Sequence, residues 1–327
     1  MNPTTNPGAG GSPGQQKLVI SIDIDSPAKL LNFHRIREVA FDQDKLDAFY
    51  RTAWDRALEF FDDLNIKATF FVVGDELESS AVIRDVVLRA HRAGHEIENH
   101  TYSHPYGLAS LPEQTIREEI MRCNQVIEKT TGIAPAGFRS PGYSVNSKVI
   151  NVASDLGLKY DSSGFWSILN PVLKTFHRLI FKNGLSNPDF GLVTSKLRQY
   201  PYRPSADDWM VPDSVAHPFW ELPFPRTDVL ALPFYNNFNL WAFPAYSDYV
   251  SKRIDRPYMM YLFHIIEFMD LSDGLPAELA VHPNVKMSVR DKLAKSKAIV
   301  SNLLERHEWV RAREFVGSLS NDGGTDK

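Results

Sequence analysis

The sequence predicts an α/β fold in which parallel strands alternate with crossover helices. Short apolar segments of strand length, such as residues 18–24, alternate with longer segments whose apolar residues recur at helical spacing, such as residues 43–64. The strand-like segments are rich in β-branched and aromatic residues, which favour strands. Gly94 and Gly132 each follow a helical segment, at the position where helices commonly end. These observations together indicate a parallel sheet covered by helices.

The predicted elements follow in order from residue 17. The helix at residues 43–64 is the clearest, because its aromatic and alanine residues recur every three or four positions and line one face. Strands are predicted at residues 18–24, 67–73, 96–99, 136–138, 159–161, 258–263 and 308–315. Further helices are predicted at residues 79–93, 112–131, 147–156 and 289–306.

One long segment interrupts this alternation. Residues 200–249 contain thirteen aromatic residues and eight prolines, without a clear helical or strand period. We therefore expect an ordered insertion at about residues 167–250 of a single domain that spans residues 17–318. Residues 1–16, with no charge and seven Gly or Pro, and residues 319–327 are expected to be flexible tails.

Composition excludes several classes of function. The 36 basic and 40 acidic side chains give a net charge of −4, which does not favour nucleic-acid binding. The single cysteine, Cys123, excludes an intramolecular disulfide and a cysteine-based zinc finger. No apolar segment approaches the ~20 residues of a membrane span. The N-terminal residues lack the pattern of a secretory signal, so we expect a cytoplasmic location.

Ionisable side chains follow two of the predicted strands. Asp23 and Asp25 end the first strand, and His100 and His104 follow the third. The carboxyl ends of parallel strands meet at one edge of a sheet, and two imidazoles at i and i+4 suit a metal such as zinc. A strand-end turn would explain the aspartates alone, and chance would explain the histidines alone. The combination favours a metal site.

Two other strand ends carry candidate catalytic groups. Arg139 begins an R-S-P-G segment, and a buried guanidinium can hold a carboxylate in its ionised form. The N–H of Gly142 is placed to donate to a developing oxyanion. His264 follows an apolar strand and can act as a general acid beside a metal, with Asp161 as its orienting partner. An ordinary surface arginine and a core histidine are the simpler explanations when each is taken alone.

These motifs, in their order along the chain, resemble those of the NodB-homology polysaccharide deacetylases, carbohydrate esterase family 4. The resemblance covers residues 17–165 and resumes at Tyr258. The family's five motifs have counterparts in S-I-D-I-D at 21–25, H-T-Y-S-H at 100–104, R-S-P-G at 139–142, Asp161 with Trp166, and L-F-H at 262–264. The third motif departs from R-x-P-Y, since Gly142 follows the proline and Tyr143 comes next. Asp161 and Trp166 are one residue further apart than in D-x-x-x-W. The resemblance implies a distorted (β/α)7 barrel with the insertion before the last motif.

The resemblance also implies a role for each residue. Asp23 would be the general base paired with Arg139, and His264 the general acid, oriented by Asp161. Gly142, Tyr143 and Trp166 would form the oxyanion and substrate-binding groups. Asp25, His100 and His104 would hold a divalent metal ion, with zinc favoured and cobalt or nickel accommodated.

The expected reaction is metal-dependent removal of an N-acetyl or N-formyl group from an amino sugar or saccharide precursor, in surface-polysaccharide biosynthesis. Whether the substrate is free, nucleotide-linked or lipid-linked stays open, as does the oligomeric state. The insertion would cap the barrel, with Trp209, Trp220 and Trp241 as candidates for stacking on sugar, or would form a packed accessory lobe.

Three other functions compete with this expectation. The same fold can serve an amidohydrolase of a small non-sugar amide. A haloacid-dehalogenase-like phosphatase would explain the D-x-D motif but leaves the three histidines unexplained. A catalytically inactive carbohydrate-binding member is opposed by the complete set Asp23, Asp25, His100, His104 and His264.

Overall fold

A curled sheet of parallel strands forms the centre of the molecule. The structure is a computed structural model that describes residues 16–34, 36, 39, 41–167, 197–213, 219–227, 231–241 and 244–322. Its strands are β1 (Lys17–Asp23), β2 (Thr69–Val72), β3 (Glu96–Asn99), β4 (Gly137–Phe138), β5 (Tyr160–Asp161), β6 (Trp220–Glu221), β7 (Tyr258–His264) and β8 (Glu308–Trp309).

The strand order confirms the predicted fold class. Seven strands lie in the order β6-β5-β4-β3-β2-β1-β7, and β8 pairs with the beginning of β1. Every pairing within this sheet is parallel. The strands form the curled, distorted (β/α)7 barrel that the motifs predicted, with β1 and β7 side by side.

Helices cover the outside of the sheet. α2 begins after Asp42, whose side chain accepts a hydrogen bond from the Lys45 N–H at 3.0 Å, and Trp54 in this helix stacks on Phe70 of β2 at 4.6 Å. The described helices are α1 (Pro27–Phe33), α2 (Gln43–Asp63), α3 (Gly74–Ser79), α4 (Ala81–Arg92), α5 (Glu113–Thr131), α6 (Ser147–Asp155), α7 (Asn236–Trp241), α8 (Pro244–Ser251), α9 (Val289–Leu304) and α10 (Ala312–Asp322). None of these helices is long and apolar enough to cross a membrane.

Both faces of β1 are buried, because alternate side chains point to opposite sides of the sheet. Leu18, Ile20 and Ile22 pack against the outer helices in the largest core cluster. Val19 points to the other face and packs with Met260 and other residues of the barrel interior. This two-sided burial holds the end of β1, and hence Asp23, in a fixed position.

The structure corrects the predicted strand at residues 308–315 and the predicted domain boundary at residue 318. Residues 308–315 are a strand only at Glu308–Trp309, and α10 then runs to Asp322, beyond the predicted boundary at residue 318. Ala312, Phe315 and Val316 are buried at helical spacing, which a strand assignment could not satisfy.

In the described part of the predicted insertion lie a barrel strand and two helices. The two-residue strand β6 pairs with β5, and α7 and α8 follow it. A strand this short carries no recognisable period, so the sequence did not reveal it. Residues 168–196 of the insertion, and residues 1–15 of the predicted N-terminal tail, lie outside the described part of the chain.

Candidate active site

The carboxyl ends of β1, β3, β4 and β7 bring the predicted ionisable residues together. Asp23 is the last residue of β1, and the strand register places it directly beside His264, the last residue of β7. Arg139 follows β4 and His100 follows β3. The site therefore lies where parallel α/β folds commonly bind their ligands.

Asp25, His100 and His104 form a compact cluster. One ligand-type atom from each lies within 4.8 Å of the others. Asp25 Oδ1 is 3.4 Å from His100 Nε2 and 2.8 Å from His104 Nε2. All three side chains are buried or nearly so. The predicted metal ligands are thus brought together.

The backbone that carries the histidines is strained. Thr101 and His104 both have positive φ angles, of 66° and 61°, which non-glycine residues rarely adopt. Asn99 stabilises this turn, because its Oδ1 accepts a hydrogen bond from the Thr101 N–H at 2.7 Å. Thr101 Oγ1 accepts another from the His104 N–H at 3.2 Å. Sequence reasoning missed Asn99, although it directly precedes the histidine motif.

The cluster fits a divalent metal ion. His100 Nδ1 is hydrogen-bonded to the Arg139 carbonyl at 2.7 Å, which directs its Nε2 lone pair toward Asp25. Within the described chain, neither ring nitrogen of His104 nor Asp25 Oδ1 has a hydrogen bond of acceptable geometry, although these groups are close. Atoms that converge without bonding one another are typical of ligands around a shared ion.

The protonation states agree with this fit. Burial alone would raise the pKa of Asp25, but the charge of His104 and contacts with both imidazoles hold that pKa well below its usual range. Burial lowers the pKa of His104, in opposition to Asp25. An ionised carboxylate and a neutral imidazole are the forms in which Asp25 and His104 would bind a metal.

Arg139 is fully buried and holds Asp23. Its Nη1 donates a hydrogen bond to Asp23 Oδ1 at 2.5 Å, and Nη2 donates to Ser21 Oγ at 3.1 Å. The Ser162 carbonyl accepts from Nε at 2.8 Å. The guanidinium lies 4.0 Å from the centre of the Phe71 ring. Asp23 is therefore an ion-paired carboxylate, and it lines the same cavity as Asp25 and His100.

The residue that contacts His264 is Glu267, not Asp161. His264 Nδ1 lies 3.4 Å from Glu267 Oε1. Burial works to lower the pKa of His264, but the contact with Glu267 and the charges of Asp23, Glu267 and Asp25 outweigh it and raise the pKa to about 9. His264 is thus protonated at neutral pH. Glu267, three residues further along the chain, was missed because spacing alone does not identify a buried partner.

Asp161 has a different role from the one predicted. It lies beside Glu221 in register, and burial raises the pKa of both carboxyls, that of Glu221 well above its usual range. Glu221 therefore keeps its proton and hydrogen-bonds Asp161. Asp161 accepts from Ser163 Oγ at 2.7 Å, and Ser163 Oγ accepts from the Ser140 N–H at 2.8 Å. The predicted pairing of Asp161 with His264 is wrong, because Asp161 supports the R-S-P-G turn instead.

A cavity of about 200 Å³ opens beside Asp23, Asp25, His100 and His264. Gly142, with a φ of 58°, and Tyr143, with a φ of 57°, line it as predicted. The other lining residues are mostly apolar or aromatic: Leu30, Phe33, His34, Tyr106, Asn237, Ile266 and His282. Phe33 follows the first motif and Tyr106 follows the second, and both residues line the cavity.

Within the described part of the structure, Trp166, Trp209 and Trp220 do not line this cavity. The Trp166 ring is covered by the Arg226 guanidinium at 4.0 Å. Trp209 is buried in a core cluster, and Trp220 stacks with Arg203 at 5.0 Å. The side chain of Trp241 lies outside the described part of the structure. For Trp209 and Trp220, packing was therefore the better of the two interpretations.

The fold and the site define a (β/α)7-barrel protein with a candidate divalent-metal centre at the carboxyl ends of its strands. Comparisons with known proteins agree with this class. Residues 39–160 match the family described as Polysaccharide deacetylase, a segment that contains His100, His104 and Arg139. The predicted resemblance to the polysaccharide deacetylases is confirmed over these residues.

Among its relatives is a peptidoglycan-N-acetylglucosamine deacetylase of Bacillus cereus, 39% identical over 77 residues, which are 24% of this chain and 26% of the relative. Chitin deacetylase 1 of Cryptococcus neoformans var. grubii is 34% identical over 101 residues, 31% of this chain and 21% of the relative. The matched segments thus span only about a quarter of each relative's length.

One solved structure supports the fold over nearly the whole chain. It is a candidate polysaccharide deacetylase from Mycobacterium smegmatis, with a TM-score of 0.56 and 15% sequence identity, covering 99% of this chain and 96% of the other. At this identity the likeness shows the fold alone.

Proposed function

We propose that this protein is a metal-dependent deacetylase that hydrolyses the N-acyl group of an amino sugar. The observation that carries the proposal is that Asp23, ion-paired with Arg139, lies beside His264 in register and lines one cavity with Asp25, His100 and His264. The relatives named as deacetylases of peptidoglycan and chitin support an amino-sugar substrate.

Asp25, His100 and His104 would hold the ion, and the donor types favour zinc. Such an ion, when bound, lowers the pKa of water and polarises a carbonyl oxygen. Asp23 accepts the proton of the attacking water, and the Arg139 guanidinium pairs with this carboxylate and holds it in place.

His264 completes the reaction as the general acid. When the amide C–N bond breaks, its proton passes to the departing nitrogen, while the hydroxyl from water stays on the acyl carbon. Gly142, on the cavity wall, is the backbone group that we assign to the developing oxyanion. Tyr143, Phe33 and Tyr106 offer apolar surface to the acyl group and to one face of a sugar ring.

The proposal is tested by measuring amine release from N-acetyl and N-formyl amino sugars and from short chitin oligomers, with zinc- or cobalt-loaded protein. We expect Asp23→Asn to lose at least about 100-fold in kcat while it retains metal. Asp44→Asn, which removes an exposed aspartate, is the matched control. Wild-type turnover by Asp23→Asn with metal bound would refute the assignment of the base.

Two competing functions are tested with other substrates of the same protein. Release of amine from small non-sugar amides, without turnover of amino sugars, would favour the amidohydrolase. Chelator-resistant release of phosphate from p-nitrophenyl phosphate would favour the phosphatase. A cytoplasmic location and a role in surface-polysaccharide biosynthesis stay predictions, which cell fractionation and glycan analysis of a deletion strain can test.

A further inference from the structure

A chain of buried polar groups leads from His264 into the aromatic- and proline-rich segment. Glu267 is almost fully buried, with 1% of its surface exposed. Its Oε1 lies 3.4 Å from His264 Nδ1, and its Oε2 accepts a hydrogen bond from Asn236 Nδ2 at 2.5 Å. Asn236 is the first residue of α7.

The same network fixes the orientation of Asn236. The Tyr261 hydroxyl of β7 donates to Asn236 Oδ1 at 3.1 Å and accepts from Asn239 Nδ2 at 3.1 Å. Because Oδ1 is occupied as an acceptor, Nδ2 of Asn236 is the group turned toward Glu267. Each member of the network therefore has its donor or acceptor role determined by the next.

We propose that Glu267 is the positioning residue of the general acid His264, and that α7 acts through Asn236 to hold Glu267 in place. This inference rests on the proposed function. The segment that was predicted to cap the barrel would then have a second role, which is to orient His264 through Asn236 and Glu267. A carboxylate at Nδ1 fixes the tautomer and stabilises the imidazolium, so that Nε2 carries the proton to be transferred.

Other charges also face this histidine and have to be separated from the effect of Glu267. They come from the end of β1, from the segment between β7 and α9, and from α9 itself: Asp23, Asp25, His282 and, beside Glu267, the buried Lys292. Glu267 is the member of this group with a contact to the imidazole at hydrogen-bonding distance. Its removal should therefore change His264 specifically.

The direct test is an NMR titration of the histidines in the zinc-loaded protein, with His264→Gln used to assign the resonance. In Glu267→Gln we expect the pKa of His264 to fall by about one unit or more, because the charge is lost while the side-chain shape is kept. Glu278→Gln removes an exposed glutamate from the same region and should leave the titration unchanged. An unchanged His264 titration in Glu267→Gln would overturn the inference.

Kinetics distinguish positioning from a merely structural role. If the pKa of His264 falls from about 9 to its ordinary value, kcat at pH 7.5 drops by about tenfold, while the loss at pH 6 stays within about twofold and KM is unchanged. An equal loss at both pH values would indicate a structural defect and would refute the inference.

A second variant keeps the test decisive if Glu267→Gln does not fold. Asn236→Ala removes the donor to Oε2 and should lower the pKa of His264 in the same direction by a smaller amount. An unaltered pKa in this variant counts against the inference. If the wild-type protein releases no amine from any amino sugar, the proposed function fails, whereas the NMR titration still decides whether Glu267 controls His264.

Discussion

Replacing Arg139 by methionine is the most direct test of the buried ion pair between Arg139 and Asp23. Arg139 has no exposed surface, and Asp23 is 2% exposed. The methionine would leave the Asp23 carboxylate buried without its cation, and it would also remove the donors to Ser21 and Ser162. Breaking a buried pair in this way costs about 3–5 kcal/mol, a large part of the ~5–15 kcal/mol by which proteins are stable.

The double variant Asp23→Leu/Arg139→Met separates the ion pair from general packing. Two apolar side chains of similar volume can replace a buried pair at little cost, so the double variant should be more stable than Arg139→Met alone. Ser162 Oγ keeps its hydrogen bond to the Leu222 carbonyl, which limits the remaining penalty. We expect a coupling energy of about 2 kcal/mol or more between the two positions.

The assay is urea unfolding of wild type, both single variants and the double variant, followed by circular dichroism and tryptophan fluorescence. If the proposed function holds, the double variant should also release no amine from any N-acyl amino sugar, since it lacks the proposed base Asp23 and its partner Arg139. A loss below about 1 kcal/mol for Arg139→Met, or a coupling energy below about 0.5 kcal/mol, would refute the reasoning.

Three further predictions concern single residues. His264 has a pKa raised above that of the unfolded chain, so its stabilising contribution should be complete below pH 6.5 and disappear as the pH rises through about 9. The stability gap between wild type and His264→Gln should therefore shrink between pH 6.5 and 10, and a constant gap would contradict this. His104→Ala should retain less than about a tenth of the wild-type zinc after dialysis, whereas His91→Ala, at a partly exposed position of α4, should retain it in full. Gly142→Ala places a Cβ at a φ of 58° and should lower the unfolding free energy by about 1–2 kcal/mol; an unfolding midpoint equal to that of wild type would count against the strain.

Local patterns were sufficient to predict which ionisable residues lie together at the carboxyl ends of the strands. Each strand end carries its chemistry within a few residues, as in D-I-D after β1 and H-T-Y-S-H after β3. Parallel strands then bring those ends to one edge wherever the crossover helices lie. Three kinds of information were enough to place these side chains: the motif, the strand that it follows and the parallel direction of the strands. The side chains are those of Asp23, Asp25, His100, His104, Arg139 and His264.

Partners of buried groups could not be predicted in the same way. Asp161 and Glu267 are both carboxylates near a strand end, and only the packing shows that Asp161 pairs with Glu221 while Glu267 contacts His264. The choice depends on distances between segments far apart in the chain, such as the one between Asn236 and Glu267. Sequence spacing contains no information about those distances.

The aromatic-rich segment at residues 200–249 also shows which features follow from sequence and which from tertiary structure. The sequence by itself determined that residues 200–249 bury many rings, that parallel strands bring a carboxylate and two imidazoles together, and that the chain resembles the deacetylases. Only the tertiary structure decided that β6 lies inside this segment, that Trp209 is core, and that Asn236 donates to Glu267, which contacts His264. The physical reason is that strand ends and helical faces follow from local periodicity, whereas contacts of irregular segments are set by packing across the whole barrel.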